Sequence, residues 1–180
     1  MPQEYPNEYP NNVPHDVEVS VRVVTYNHVN YIREAIDGAL NQEVDFPYEI
    51  VIGEDDSDDG TREICIEYAE KYPEVIRLFL RKESDKIYID GRKTGRYNSI
   101  ETTKACRGRY VAVLEGDDYW IDRRKLQMQR DYLEQNQNCK ICATRALIKH
   151  EGAGTGADRV SIRSGSGGVL NCSDFIYGRI

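Results

Sequence analysis

The chain has 180 residues, enough for one domain with its own core, and its 39% hydrophobic and 31% charged residues are the balance of a globular protein. A formal charge of −7, from 31 acids against 24 bases, argues against general affinity for nucleic-acid phosphates, so no nucleic-acid partner is expected. No apolar stretch reaches the length of a membrane span, and the opening "MPQEYPNEYPNNVPHD" has neither a basic start nor an apolar segment; a cytoplasmic protein is expected, docking at most on the inner face of a membrane.

Residues 1–16, rich in Pro, Asn, Tyr and acids, read as a tail. The valine-rich alternation Val17–Asn27 predicts a strand. In "VNYIREAIDGALNQ" the residues Ile32, Ala35, Ile36, Ala39 and Leu40 recur at helical spacing. Tyr48–Glu54 is a short apolar run, a second strand. "TREICIEYAEKYPE" sets Ile64, Tyr68 and Tyr72 four apart and predicts a helix stopped near Pro73, before a third strand at Val75–Leu80. Residues 83–95 are charged, carry Gly91 and Gly95, and read as a loop. "YNSIETTKACRG" predicts a helix ending at Gly108, and Arg109–Glu115 a fourth strand. Asp122 starts a helix running to about Gln137. "CKICATRALI" reads as a fifth strand. Gly and Ser then dominate as far as Gly168, and "NCSDFIYGRI" starts a short helix.

Strands alternating with helices predict an α/β fold, a mainly parallel sheet covered on both faces. In such sheets ligands bind beyond the carboxyl ends of the strands. Three polar clusters fall at those ends: "TYNH" after strand one, "EDDSDDGT" after strand two and "EGDDYW" after strand four.

In "EDDSDDGT", Asp58 and Asp59 are expected to cap the helix near Thr61, whereas Asp55 sits at the mouth of the sheet. A calcium loop beginning at Asp55 fails, because the position of its bidentate acid is Ile66. In "EGDDYW", Glu115 and Asp117 are two apart and share a side of an extended segment, with slim Gly116 between them. Two oxygen ligands with open positions suit Mg²⁺ or Mn²⁺; taken alone, a solvated turn is equally compatible. No P-loop or dinucleotide fingerprint is present, and "GAGTGA" precedes "DRVSIR" rather than a helix. The five cysteines, odd in number, read as reduced thiols, and the single CxxC at Cys139 and Cys142 lacks the second pair zinc would want.

Together and in order, "VSVRVVTYNHVNYIREAIDGALNQ", "YEIVIGEDDSDDGTREI" and "CRGRYVAVLEGDDYWIDRRKLQMQRDYLE" resemble family 2 glycosyltransferases of the GT-A fold, especially capsule and surface-polysaccharide members. The resemblance runs from about Val17 to Cys142. It implies a nucleotide-sugar-binding half over residues 17–150. Residues 151–180 would be a Gly/Ser-rich loop and the start of an acceptor-binding half cut short at its C-terminus. It implies a metal-dependent, inverting enzyme that moves a sugar from a nucleoside-diphosphate donor, a UDP-sugar, to a saccharide or lipid-linked saccharide.

By the same resemblance, Thr25 and Tyr26 line the base pocket, Tyr26 by stacking, with Asn27 beside them. Asp55 accepts a hydrogen bond from the base. Glu115 and Asp117 fall on the family's DxD motif, Glu115 facing the ribose and Asp117 holding Mg²⁺ or Mn²⁺ with help from Asp118. Glu54 and Arg96 complete the donor site, although glutamate replaces the usual aspartate at 54 and 115 and "GRYNS" replaces an Ala-Arg-Asn stretch. The catalytic base is expected beyond Ile180. A nucleotidyltransferase and a non-catalytic nucleotide- or carbohydrate-binding domain are the competing classes.

Overall fold

The computed structural model describes residues 6–144 and the backbone of the strands Ala146–Ile148 and Arg159–Ser161. It forms two compact units, one up to Met128 and one from Gln129.

The first unit holds β1 (Val19–Thr25), α1 (Ile32–Leu40), β2 (Tyr48–Glu54), α2 (Thr61–Lys71) and β3 (Ile76–Leu80). A 3-10 turn (Glu83–Asp85) leads into β4 (Ile87–Ile89) and β5 (Arg92–Thr94), followed by α3 (Arg96–Ala105) and β6 (Tyr110–Glu115). The main sheet has the order β3-β2-β1-β6, parallel throughout. The chain winds outward from β1 to β3 and then returns to lay β6 on β1's other side. That reversal opens a crevice at the carboxyl ends of β1 and β6, where α/β sheets take ligands.

The two faces of the sheet are chemically different. Val19, Val21, Val23, Ile50 and Ile52 form an apolar core with Ile32 and Ile36 of α1 and Ile64 and Tyr68 of α2. Each fully buried aliphatic side chain there stabilises by roughly 1.5–3 kcal/mol. The alternate residues Ser20, Arg22, Glu49 and Gly53 face α3 and are buried but polar or bare. Asn98 Nδ2 of α3 donates to the Gly53 carbonyl at 2.8 Å, and a Cβ at residue 53 would collide with Thr102 and Asn98. The fully buried Glu49 carboxylate accepts from Ser20 Oγ at 2.6 Å and from the Arg107 guanidinium at 2.8 Å. Burial alone would raise that carboxyl, but the Ser20 and Arg107 hydrogen bonds outweigh it and hold it below the usual range.

Two segments without expected secondary structure acquire a role. Residues 7–9, in the stretch read as a tail, lie antiparallel on β3: Tyr9 N–H donates to the Leu78 carbonyl at 2.7 Å and Leu80 N–H to that of Asn7 at 2.9 Å. They pair the outer edge of β3, which would otherwise be an open template for another strand. The stretch 83–95, read as a loop, contains the β4–β5 hairpin. Its turn residues Asp90 and Gly91 have φ of 50° and 74°, the left-handed pair a two-residue hairpin turn requires. The strands are three residues each, Ile87–Ile89 apolar but mostly exposed and Arg92–Thr94 charged, too short to show an alternation, so the Asp-Gly pair was their one clear signal.

The second unit contains the antiparallel pair β7 (Ala146–Ile148) and β8 (Arg159–Ser161), while the helix α4 (Lys125–Gln135) crosses the boundary between the units. The fifth strand, expected over 139–148, is confined to Ala146–Ile148, and residues 139–144 have no regular structure. Cys139 and Cys142 are reduced, and no cluster of three metal-ligating side chains occurs among the described residues. The "GAGTGA" stretch, the short helix expected after Asn171 and its Asp174 lie outside the described residues.

Candidate functional site

Strand register lines up the candidate residues along one edge. Thr25 pairs with Glu54, Glu54 with Leu80, and Val24 with Glu115. The chain continues in step beyond those pairs: Asp55 N–H donates to the Thr25 carbonyl at 3.0 Å, Arg81 N–H to that of Glu54 at 2.9 Å and Gly116 N–H to that of Val24 at 2.9 Å. Arg81, Asp55, Tyr26 and Gly116 therefore emerge in sheet order at the carboxyl edge.

The turns after β1 and β2 are clasped together. Asn27, at φ 54°, exchanges hydrogen bonds with Asp58 at 3.0 and 3.2 Å, and its N–H donates to Ser57 Oγ at 3.0 Å. Asp59 accepts from Thr61 N–H at 2.9 Å and from Val29 N–H at 3.0 Å, so it caps α2 and anchors the first turn as well. The expected cap is thus Asp59, while Asp58 is the clasp. The residue at the helix cap itself is Gly60 at φ 104°, a conformation glycine takes without the penalty other residues carry.

Glu54 and Asp55 divide sharply. The Glu54 carboxylate is 0% exposed and saturated: Arg62 Nε donates at 2.5 Å and Ser57 N–H at 2.7 Å. It fixes the turn from inside the apolar side of the sheet. The Asp55 side chain falls on the α3 side, 3.8 Å from where a Cβ on Gly95 would stand, and is 5% exposed. No hydrogen bond or ion pair reaches its carboxylate among the described residues. Burial pushes its carboxyl up to about 6; Lys86 and Arg81 draw it down, and Glu54 and Asp56 push it up.

Tyr26 keeps 44% exposure, with the Lys86 ammonium 4.0 Å from its ring centroid. The Thr25 hydroxyl is buried and lies 3.3 Å from His28 Nδ1. Arg96 opens α3 on the exposed surface.

At the end of β6 the three acids separate. Glu115 Oε1 accepts from Arg22 Nη2 at 2.7 Å, and Arg22 Nη1 donates to Ser99 Oγ of α3 at 2.7 Å. Gly116 is buried; a Cβ there would stand 2.6 Å from Thr25 Oγ1 and 2.8 Å from His28 Nδ1. Asp117 and Asp118 are exposed, and nothing among the described residues binds their carboxylates. Two free carboxylates beside one that is already neutralised fit a hard cation whose remaining positions are taken by water and a ligand's phosphates. Trp120 packs partly on the core, with its backbone against Gly38 and Lys125 Nζ 4.3 Å from its ring.

Sequence reasoning missed Arg22, Arg81 and Lys86. Arg22 did leave a signal, as a charge in the middle of a buried valine strand that needs a partner. Arg81 and Lys86 left none, because their positions depend on how β3 and the hairpin return to the site.

Residues 20–168 match the model of the family described as Glycosyl transferase family 2. The putative teichuronic acid biosynthesis glycosyltransferase TuaG of Bacillus subtilis is 34% identical over 64% of this chain and 41% of its own length. The chain spans less than half the length of the curated relatives it matches, 34% of a Mycobacterium tuberculosis relative and 41% of TuaG. S. aureus TarS 1-349 in complex with UDP superposes with a TM-score of 0.54 over 78% of this chain and 38% of that one, at 22% identity. The mannosyltransferase PcManGT of Pyrobaculum calidifontis, in complex with GDP-Man and Mn²⁺, superposes with a TM-score of 0.52 over 69% of this chain and 36% of that one, at 26% identity. The sheet is therefore that of GT-A enzymes. Among the described residues no helix is long and apolar enough to cross a membrane.

Proposed function

The chain belongs to glycosyl transferase family 2, and from that premise we propose that it binds a UDP-sugar with Mg²⁺ or Mn²⁺ and serves transfer of the sugar, with inversion, to a saccharide or lipid-linked saccharide. The observation that carries this reading is the split among acids at the carboxyl edge: Asp55 buried and unbonded, Glu115 neutralised by Arg22, and Asp117 and Asp118 free. Each state suits a different part of a nucleoside diphosphate.

Asp55 accepts the imide N–H of the base, for which its carboxylate has both oxygens unengaged among the described residues. Tyr26 offers a half-exposed ring for stacking once the Lys86 ammonium, 4.0 Å from its centroid, swings aside to the edge of the base, and Thr25 lines the pocket floor. Glu115, held by Arg22, presents its remaining oxygen to the ribose hydroxyls. Asn27 and Glu54 keep the two turns in place, and Arg96, exposed at the start of α3, would contact the diphosphate. Asp117 and Asp118 would hold the divalent ion, which when bound supplies Lewis-acid neutralisation of the departing diphosphate. A basic group that deprotonates the acceptor belongs to the inverting reaction, and the residues placed at this edge have other work.

Calorimetric titration of the full chain with UDP tests the reading. UDP binding that needs Mn²⁺ or Mg²⁺ and is lost in Asp117→Ala supports it. Binding indifferent to metal and to Asp117 contradicts it, and leaves a plain binding domain.

A further inference from the structure

Three charged groups at the carboxyl edge are each at least nine-tenths buried and yet do not pair with one another. Asp55 is 5% exposed, Arg81 9% and Lys86 9%. Among the described residues neither cation forms an ion pair with the carboxylate, although both act on it through space. Arg81 is fixed by Asn98 Oδ1 at 3.2 Å and lies over the Phe79 and Tyr97 rings, but its Nη2 has no partner. Lys86 has only a 3.5 Å contact with Glu83 and the Tyr26 ring. Buried charges left under-coordinated are costly, and they persist where a ligand completes them. Sheet order sets their sequence in space: Arg81 follows β3, Asp55 follows β2 beside it, and Lys86 lies on the residue that follows β1.

We propose that Arg81 and Lys86 are the base-selecting residues of the donor site: with Asp55 between them they form a donor–acceptor–donor row that takes the acceptor–donor–acceptor edge of a uracil-type ring. This rests on the nucleotide-sugar reading of the same site. The imide N–H of uracil or thymine is flanked by two carbonyl oxygens. The N–H meets the carboxylate, and each carbonyl meets a cation. Cytosine carries an acceptor where the imide N–H would be and an amine in place of one carbonyl; it therefore sets a lone pair against Asp55 and a donor against a cation. Guanine presents two adjacent donors and a single acceptor, which leaves one cation unsatisfied. Leaving a buried polar group unpaired is the strongest way a site rejects a near-isostere.

The test compares UDP with CDP, in the presence of Mn²⁺ at pH 7.5, on the full chain and on Lys86→Met and Arg81→Gln. Lys86→Met keeps the length and packing of the side chain, so it reports even if Arg81→Gln unfolds; thermal unfolding checks both. The native chain is expected to prefer UDP by more than about tenfold, the discrimination a charge-assisted hydrogen bond supports. Each variant is expected to weaken UDP by about tenfold while leaving CDP nearly unchanged, so that the preference collapses. Asp117→Ala instead weakens both nucleotides together and keeps their ratio. Equal native affinity for UDP and CDP, or a ratio unmoved in Lys86→Met, overturns the proposal while the donor-site reading stands. Absence of metal-dependent binding of any nucleotide overturns that reading itself.

Discussion

Arg22 Nη2 donates to Glu115 Oε1 across 2.7 Å, reaching from the middle of β1 to the last residue of β6. The repulsion expected among Glu115, Asp117 and Asp118 is relieved at its first member from inside the sheet. Arg22 is buried beneath α3, which supplies Ser99 as its second partner, while its Nε has none. The pair thus couples α3, β1 and the acid-bearing turn.

Replacing Arg22 by Met breaks this coupling and releases Glu115 beside the other acids. Loss of two hydrogen bonds, both donated by the guanidinium, costs about 1–3 kcal/mol of stability. Urea unfolding measures that loss. Calorimetry should show UDP affinity falling as well, because Glu115 no longer holds one rotamer.

Gly116→Ala places a methyl 2.6 Å from Thr25 Oγ1 and 2.8 Å from His28 Nδ1. The turn after β6 has to move away from β1, with an overpacking cost of about 1–3 kcal/mol. Thermal unfolding should report a lower Tm, and metal-dependent UDP binding should weaken because Asp117 moves with the turn. An unchanged Tm would show that the two loops are not in contact.

Arg62→Met leaves the Glu54 carboxylate, which is 0% exposed, without its guanidinium. Stranding one member of a buried ion pair costs about 3–5 kcal/mol, far more than the surface pair Arg33–Glu67 should matter. Chemical denaturation of Arg62→Met and Arg33→Met side by side gives the comparison.

Much of this arrangement was readable from the chain. Tyr48–Glu54 was bounded correctly because an apolar run between turn residues has little else to become. The three polar clusters fell on strand ends as the α/β pattern required. Local pattern could not reveal contacts that depend on the return of distant segments. Lys86 meets Tyr26 sixty residues away in sequence, and residues 7–9 meet β3 at its edge, about seventy residues away. The different fates of adjacent Glu54 and Asp55 follow from strand alternation: one side chain meets Arg62 of α2 and the other faces the start of α3.

If Asp55 receives the base as proposed, UDP binding is expected to depend on pH. Burial raises its carboxyl to about 6, against the pull of Lys86 and Arg81. The ionised form is the acceptor for the imide N–H, so affinity should be full above about 6 and fall as pH drops through it. The stability of the free chain runs the other way: protonation relieves a buried charge, so this group favours folding at low pH and loses that contribution as pH rises through about 6. Asp55→Asn should therefore flatten both profiles, with calorimetry and thermal unfolding across pH 5 to 8 as the readouts.

The central claim is that Asp117 and Asp118 and a nucleoside diphosphate together complete a divalent-cation site. Anomalous diffraction from crystals grown with UDP and Mn²⁺ tests it most directly. The account predicts a manganese peak about 2 Å from an Asp117 carboxylate oxygen and against the diphosphate, with the uracil edge on Asp55. UDP bound with no manganese peak at Asp117, or with its base away from Asp55, would contradict it.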